Sequence, residues 1–96
     1  MFTAGILKKM KVVILYQPNS ETDTRVQTYA RDFERQLGKK LELIDSNTAE
    51  AVEIAKIHDI MQFPAILVTE DDGSAVQMWT DIDSWPTFSE LSYYTQ

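Results

Sequence analysis

The chain has 96 residues, of which 44% are apolar and 25% charged, a composition typical of one small globular domain. It contains no cysteine, so disulfide bonds, cysteine-based metal sites and redox chemistry by its own thiols are excluded. No apolar run approaches the roughly 18 residues that cross a bilayer. The short run from Phe2 to Leu7 precedes its lysines, unlike a signal peptide. These features favour a cytoplasmic protein with no membrane partner.

The net charge of -6 is unevenly distributed along the chain. All nine Lys and Arg residues lie at or before Lys56, together with eight acidic residues. Residues 57–96 carry seven acidic residues and no Lys or Arg. Such a segment repels the phosphates of nucleic acids and favours a basic partner, although a solvated acidic surface explains the same pattern more simply.

The first predicted strand marks the start of the folded domain. Residues 1–10 are expected to be a loose N-terminal leader or an extra edge segment, and residues 11–96 a single domain. The run Lys11–Tyr16 is apolar and rich in β-branched residues, which is typical of a strand buried on both faces.

A helix is predicted after this strand. Ser20, with Asp23 three residues later, resembles an N-terminal helix cap. The apolar stripe that follows has helical spacing and consists of Val26, Tyr29, Ala30, Phe33 and Leu37. Gly38 is expected to end the helix because it takes the left-handed C-cap conformation easily.

The next strand is predicted from Leu41 to Asp45. Asn47 and Glu50 then form a plausible capping pair for a second helix that runs to Ile57. Together with the first strand and helix, these segments alternate as strand, helix, strand, helix.

The last part of the chain predicts a hairpin and a helix. Residues 64–69 form the third strand and residues 75–80 the fourth, joined by a turn in which Gly73 supplies positive φ. The two strands are therefore expected to pair antiparallel. Ser84 or Thr87 caps a final helix. The predicted order is β-α-β-α-β-β-α.

One stretch resembles a known superfamily. Leu43-Ile44-Asp45, then the helix ending near Ile60, and then Phe63-Pro64 resemble the corresponding part of thioredoxin, and the residues Gln62 to Ala65 resemble the Gln-Val-Pro-Ala of glutathione-binding domains. The resemblance to the thioredoxin and glutaredoxin superfamily implies an α/β fold with a central four-stranded mixed sheet flanked by helices. It also implies a cis peptide bond at Pro64.

The superfamily's reactive motif is missing from this chain. In those proteins a cysteine pair follows the first strand and opens the first helix, where the helix N-terminus stabilises a thiolate. Here that place is occupied by residues 16–21, Tyr-Gln-Pro-Asn-Ser-Glu. Thiol–disulfide activity is therefore not inherited. Asn19 and Ser20 are candidates for contacting an anion, but a loop residue and a helix cap account for them more simply.

Glutathione-dependent catalysis is the enzymatic alternative. Some glutathione transferases activate the thiol with Tyr or Ser, for which Tyr16 and Ser20 are the candidates here. Glutathione carries two carboxylates that need cationic partners, whereas the region near Pro64 supplies Asp81 and Asp83. The charge of this region therefore argues against a glutathione cofactor.

The other candidates for chemistry have simpler explanations. His58, the only histidine, is close to the end of the second helix, where a cation is favourable. The pairs Asp71 with Asp72 and Asp81 with Asp83 suit turns better than a divalent cation. No catalytic residue, metal or cofactor is therefore predicted.

The remaining hypothesis is binding. Pro18, Phe63, Ile82 and Trp85 belong to three loops that the fold would bring to one end of the sheet, where they would form an apolar surface rimmed by Asp81 and Asp83. Such a surface suits a protein or peptide partner, with a basic segment favoured. The predicted binding residues are Gln17, Pro18, Asn19, Ser20, Phe63, Pro64 and Asp81. A structural or oligomeric subunit is the third possibility.

Overall fold

A computed structural model describes residues 10–95. The strands are β1 (Met10–Tyr16), β2 (Glu42–Asp45), β3 (Ala65–Glu70) and β4 (Ala75–Trp79). The helices are α1 (Asp23–Leu37), α2 (Ala49–Ile57) and α3 (Phe88–Ser92), and single 3-10 turns span Ile82–Ser84 and Tyr93–Thr95. This is the predicted order. Met10 is the first residue of β1, and the expectation for the rest of the leader concerns residues outside the described range.

The four strands form one mixed sheet in the order β2-β1-β3-β4. β1 pairs parallel with β2 and antiparallel with β3, and β3 pairs antiparallel with β4. β1 and β3 occupy the centre because each has a neighbour on both sides. The predicted antiparallel hairpin and the predicted four-stranded mixed sheet are both confirmed.

The sheet separates two hydrophobic clusters, as expected for a central strand buried on both faces. Val12 and Ile14 of β1 belong to the cluster beneath α1 and α3, which also contains the fully buried Phe33 and Leu91. The alternate residues of β1 belong to the cluster on the α2 face, whose members are Val13, Leu15, Ile44, Ala51, Ile60, Ala65 and Leu67. Successive strand side chains point to opposite faces, so the continuous apolar run of β1 serves both clusters.

The helix starts differ from the predicted ones. The N-cap of α1 is Thr22, whose side chain makes no capping hydrogen bond, so the predicted Ser20 cap was wrong. The N-cap of α2 is Thr48, whose hydroxyl accepts from the Ala51 N–H at 3.1 Å, one residue later than predicted. Thr87, one of the two predicted caps for α3, accepts from the Glu90 N–H at 3.1 Å. Several residues with capping side chains are adjacent in each loop, and tertiary packing selects between them.

The end of α1 and the turn between β3 and β4 are formed by the predicted glycines. Gly38 has φ 70° and its N–H donates to the Glu34 carbonyl at 2.8 Å, so it closes α1 in the left-handed conformation. Gly73 has φ 89° in the turn between β3 and β4. A Cβ would have open space at both positions, so glycine is favoured there by backbone conformation rather than by crowding.

Candidate functional site

The strand register brings three loops to one end of the sheet. Leu15 pairs with Ala65, and Ile66 pairs with Trp79. Extending these registers by one or two residues sets Pro64 opposite Tyr16 on one side and Asp81 on the other. The loop after β1, the segment before β3 and the loop after β4 therefore lie side by side, and all seven predicted binding residues belong to them.

The loop after β1 is held by bonds within itself. Asn19 has φ 64°, and its N–H donates to a carboxylate oxygen of Asp23 at 2.8 Å. The Ser20 hydroxyl donates to the Gln17 carbonyl at 2.6 Å. This bond engages the hydroxyl proton of Ser20 inside the loop. The hydroxyl is therefore not oriented to donate to the sulfur of a thiol ligand.

The segment before β3 contains both buried and exposed residues. The Phe63–Pro64 peptide bond is cis. Pro64 itself is buried, whereas Phe63 is half-buried and packs against the cluster on the α2 face. Met61, two residues before Phe63, is 85% exposed. The surface of this loop is therefore formed by Met61, Gln62 and part of Phe63 rather than by the proline ring.

The loop after β4 is fastened to α1. Asp81 caps the 3-10 turn by accepting from the Asp83 N–H at 3.0 Å. Asp83 in turn forms an exposed ion pair with Arg25 near the start of α1, at 2.6 Å. The Tyr29 hydroxyl donates to the Pro86 carbonyl at 2.9 Å. The ion pair of Arg25 and the hydrogen bond of Tyr29 therefore hold the loop after β4 against α1.

Tyr29 lies at the centre of an aromatic group. Its ring meets Trp85 edge to face at a centroid distance of 5.0 Å and meets Phe88 in the same way at 5.1 Å. Burial raises the pKa of the Tyr29 hydroxyl well above its ordinary value, and the charge of Glu90 adds to this effect. Its hydroxyl therefore stays protonated and acts as a structural donor to Pro86.

Three residues of the predicted apolar surface pack against different parts of the core. Phe63 packs against the cluster on the α2 face, whereas Ile82 and Trp85 pack against the cluster beneath α1 and α3. All three, and Pro18, are only half-exposed. The three loops share one end of the sheet, while Phe63 packs on one face of the sheet and Ile82 and Trp85 pack on the other.

A surface pocket lies beside Phe63. It has a volume of about 480 Å³ and is lined by Ser46, Val52, Ala55, Lys56, Asp59, Ile60, Met61 and Phe63. Val52 is 56% exposed although it belongs to α2. We call this cavity the α2 pocket. Its volume lies in the range of natural small-ligand pockets, roughly 300 to 1,000 Å³.

Met61 and Val52 are not among the residues predicted from the sequence. The available signal for Val52 was its position outside the helical stripe of Ala51, Ile54 and Ala55, which are buried or half-buried. For Met61 it was an apolar side chain in a loop next to Phe63. Both signals are weak alone, because single exposed apolar residues are common on protein surfaces.

The other candidates for chemistry lie elsewhere or are not assembled. His58 follows α2 and lines a separate cavity with Lys11 and Gly73, at the opposite end of the sheet. Among residues 10–95, no group of three or more His, Cys, Asp or Glu side chains is arranged to hold a metal ion.

No helix within that range is both long and apolar enough to span a bilayer.

Solved structures with the same architecture include thioredoxins. The chain is 15% identical to the oxidised thioredoxin of Plasmodium falciparum, with a TM-score of 0.62, over 92% of this chain and 83% of that one. It is 13% identical to mitochondrial thioredoxin 3 of Saccharomyces cerevisiae, with a TM-score of 0.59, over 91% and 76%. The chain has a thioredoxin-like fold. No protein-family model matches the sequence, and neither does any curated protein.

A third thioredoxin structure also shares the fold at low sequence identity. The germline-specific thioredoxin Deadhead of Drosophila melanogaster is 10% identical, with a TM-score of 0.60, over 88% of this chain and 76% of that one. Identities this low concern the fold alone. In this thioredoxin-like chain the loop after β1 holds Gln17 to Ser20 and no cysteine, so thiol–disulfide exchange by its own side chains has no nucleophile.

Proposed function

We propose that this thioredoxin-like domain is a binding module without redox chemistry, and that it binds a protein or peptide segment at the loop end of the sheet. The proposed contacts are Gln17, Pro18, Asn19, Ser20, Phe63, Pro64 and Asp81, together with the α2 pocket. The observation that carries the proposal is the α2 pocket itself, where the 85% exposed Met61 adjoins Phe63. Apolar surface of this kind is stabilised when a partner covers it.

The chemistry of the site supports an apolar anchor residue. Five side chains of the α2 pocket are apolar, namely Val52, Ala55, Ile60, Met61 and Phe63. A bulky aliphatic or aromatic side chain of the partner would bury this surface, and such anchors dominate many protein interfaces. Methionine adapts its shape to different partners, which suits a pocket that accepts more than one apolar side chain.

The surroundings support a basic segment beside the anchor. Glu21, Asp45 and Asp81 lie in or next to the loops at this end of the sheet, and the Arg25 side chain there is already paired with Asp83. Residues 57–96 supply no Lys or Arg, and Lys56, which lines the α2 pocket, is accompanied there by Asp59. Lys or Arg next to the anchor residue would therefore be attracted to the site, which raises the association rate.

The proposal is tested with peptides selected from a random displayed library against the wild-type protein. The affinity of a selected peptide is then measured for Met61→Asp and for the matched control Ile57→Asp. Ile57, the last residue of α2, is 69% exposed and lines the cavity at the opposite end of the sheet. We expect Met61→Asp to weaken binding at least about tenfold and Ile57→Asp to leave it within about twofold.

Mapping by amide chemical shifts separates this proposal from the alternatives. We expect the peptide to shift the amide signals of Gln17, Asn19, Ser20, Phe63 and Ala65. Equal loss of affinity in the two variants, or shifts confined to other surfaces, would contradict the proposal. Saturable shifts at Ser20 and Ala65 on adding glutathione would instead support the thiol-binding alternative. Concentration-dependent light scattering from the free protein would support the subunit alternative.

A further inference from the structure

The strand β4 forms an edge of the sheet and carries no charged residue. Among residues 10–95, β4 is paired with β3 on one side only. Its five residues are Ala-Val-Gln-Met-Trp, and Val76 and Met78 are 40% and 36% exposed. Natural edge strands are usually protected by charged side chains or proline. β4 has neither, so its outer edge is chemically suited to pairing with a further strand.

The backbone of Met78 faces this outer edge. The Met78 N–H donates to the Gln77 side-chain oxygen at 2.9 Å. In an antiparallel ladder, successive residues bond alternately to one side and the other. The side-chain bond therefore identifies Met78, which lies opposite Leu67, as a residue that points its N–H and C=O away from β3. The Gln77 oxygen stands where the carbonyl of a further strand would accept.

A bulge limits the part of β4 that is available. Val68 pairs with Gln77 and Thr69 pairs with Ala75, so Val76 is an extra residue on β4. Bulges increase the local twist of a strand. A partner strand would therefore pair with the segment from Val76 to Thr80 rather than with the whole hairpin.

The charges at the two ends of β4 select between partners. Asp71 precedes the strand at the hairpin end and Asp81 follows it, while the carboxylate of Asp83 is already paired with Arg25. In an antiparallel pair made by two copies of this chain, the hairpin end of one β4 would lie beside the loop end of the other. Carboxylates would then face carboxylates, which disfavours a second copy. A strand flanked by Lys or Arg meets complementary charge at both ends.

We propose that β4 accepts an extended segment of a partner protein as a fifth strand of the sheet. The segment has alternating apolar side chains, which cover Val76 and Met78, and is flanked by Lys or Arg. Main-chain hydrogen bonds supply the affinity of such strand addition, and the flanking charges supply its selectivity. The pairing residues lie outside the α2 pocket, so this proposal and the proposed function can fail separately.

The test uses two synthetic nonapeptides with one apolar core. The basic probe is Lys-Lys-Val-Thr-Val-Thr-Val-Lys-Lys, and in the acidic probe every Lys is replaced by Glu. Affinity is measured by titration calorimetry at low ionic strength, and amide hydrogen exchange locates the site. We expect the basic probe to bind at least about tenfold more tightly than the acidic probe and to slow exchange at Met78 by about tenfold or more.

A matched pair of variants separates strand addition from contact with side chains. Met78→Pro removes the outward N–H, while the bonds that neighbouring residues make to β3 stay intact, as is tolerated on an edge strand. Met78→Ala removes the same side chain and keeps the N–H. We expect the proline variant to bind the basic probe at least about tenfold more weakly than the alanine variant.

A modified probe gives the same information without altering the protein. Methylating the backbone nitrogens of all five residues in the apolar core of the basic probe, and so on both of its edges, prevents strand pairing and keeps its charge and side chains. We expect its affinity for the wild-type chain to fall at least about tenfold. Unchanged affinity of the methylated probe, equal binding by the two Met78 variants, or equal binding of the acidic probe would overturn the proposal. Self-association that Met78→Pro abolishes would also overturn it, because the edge would then serve a second copy.

Discussion

Asp59 occupies a backbone conformation that usually belongs to glycine. Its φ is 58°, and the next N–H, that of Ile60, donates to the Ala55 carbonyl at 2.8 Å. This turn closes α2 and directs the chain toward Met61. Asp tolerates the left-handed region better than most residues but less well than glycine. The sequence does not predict this turn, because the glycine that commonly follows a helix is absent.

Replacing Asp59 by glycine is expected to stabilise the protein. The left-handed conformation loses its steric cost, and the free energy of unfolding should rise by about 0.5 to 1 kcal/mol. Gly38→Ala is the matched comparison, because Gly38 has φ 70° at the end of α1 and a Cβ there contacts nothing within 4 Å. That variant should lose about 1 kcal/mol through backbone strain alone. Urea unfolding measures both, and a loss of stability in Asp59→Gly would contradict this account.

At the scale of the elements, the helix interiors were predictable and the helix starts were not. The apolar stripe of α1 and the glycine at its end follow from local spacing and local backbone preference. The caps do not, since Ser20, Thr22, Asn47 and Thr48 all have suitable side chains. In α1 the Asp23 carboxylate accepts from the Asn19 N–H instead. Packing of the loop, which local sequence does not encode, decides which residue caps.

Removing the cap of α2 should cost more than removing the predicted cap of α1. Thr48→Ala deletes the hydroxyl that accepts from the Ala51 N–H, and about 1 kcal/mol of stability should be lost. Ser20→Ala deletes an exposed bond to the Gln17 carbonyl outside the helix, and the loss should stay below about 0.5 kcal/mol. Chemical denaturation of the two variants checks the ranking. Equal losses would mean that Ser20 contributes to α1 after all.

At the scale of the whole molecule, Tyr29 joins α1 to residues 85–88, which lead into α3. Its hydroxyl donates to the Pro86 carbonyl, and its ring contacts Trp85 and Phe88. Sequence analysis placed Tyr29 on the buried stripe of α1. The partner of its hydroxyl lies 57 residues away in the chain, so only the tertiary structure identifies it.

The raised pKa of Tyr29 predicts a loss of stability in alkali. The unfolded chain ionises Tyr29 near pH 10, whereas burial keeps the folded hydroxyl protonated. Above that pH the folded state binds more protons than the unfolded state, so the free energy of unfolding falls as pH rises. Its contribution is fully present below about pH 10. Tyr29→Phe should flatten this fall when urea unfolding is measured between about pH 8 and 11. An unchanged slope would contradict the prediction.

The sequence by itself determined the fold. The order of elements, the strand buried on both faces, the Gly38 terminus and the absence of a thiol nucleophile follow from local periodicity, glycine conformation and residue count. The similarity around Leu43 to Ala65 added the superfamily resemblance. These properties depend on neighbours within a few residues, which is why they were predictable from one chain.

Only the tertiary structure decided which surfaces are available. It turned Phe63 and Trp85 toward opposite faces of the sheet, exposed Met61 beside the α2 pocket, and left β4 as an uncharged edge. The physical reason is that the exposure of a side chain depends on what other elements cover it. α2 covers only part of its face of the sheet, and the local sequence around Met61 and Met78 gives at most a weak signal of that gap.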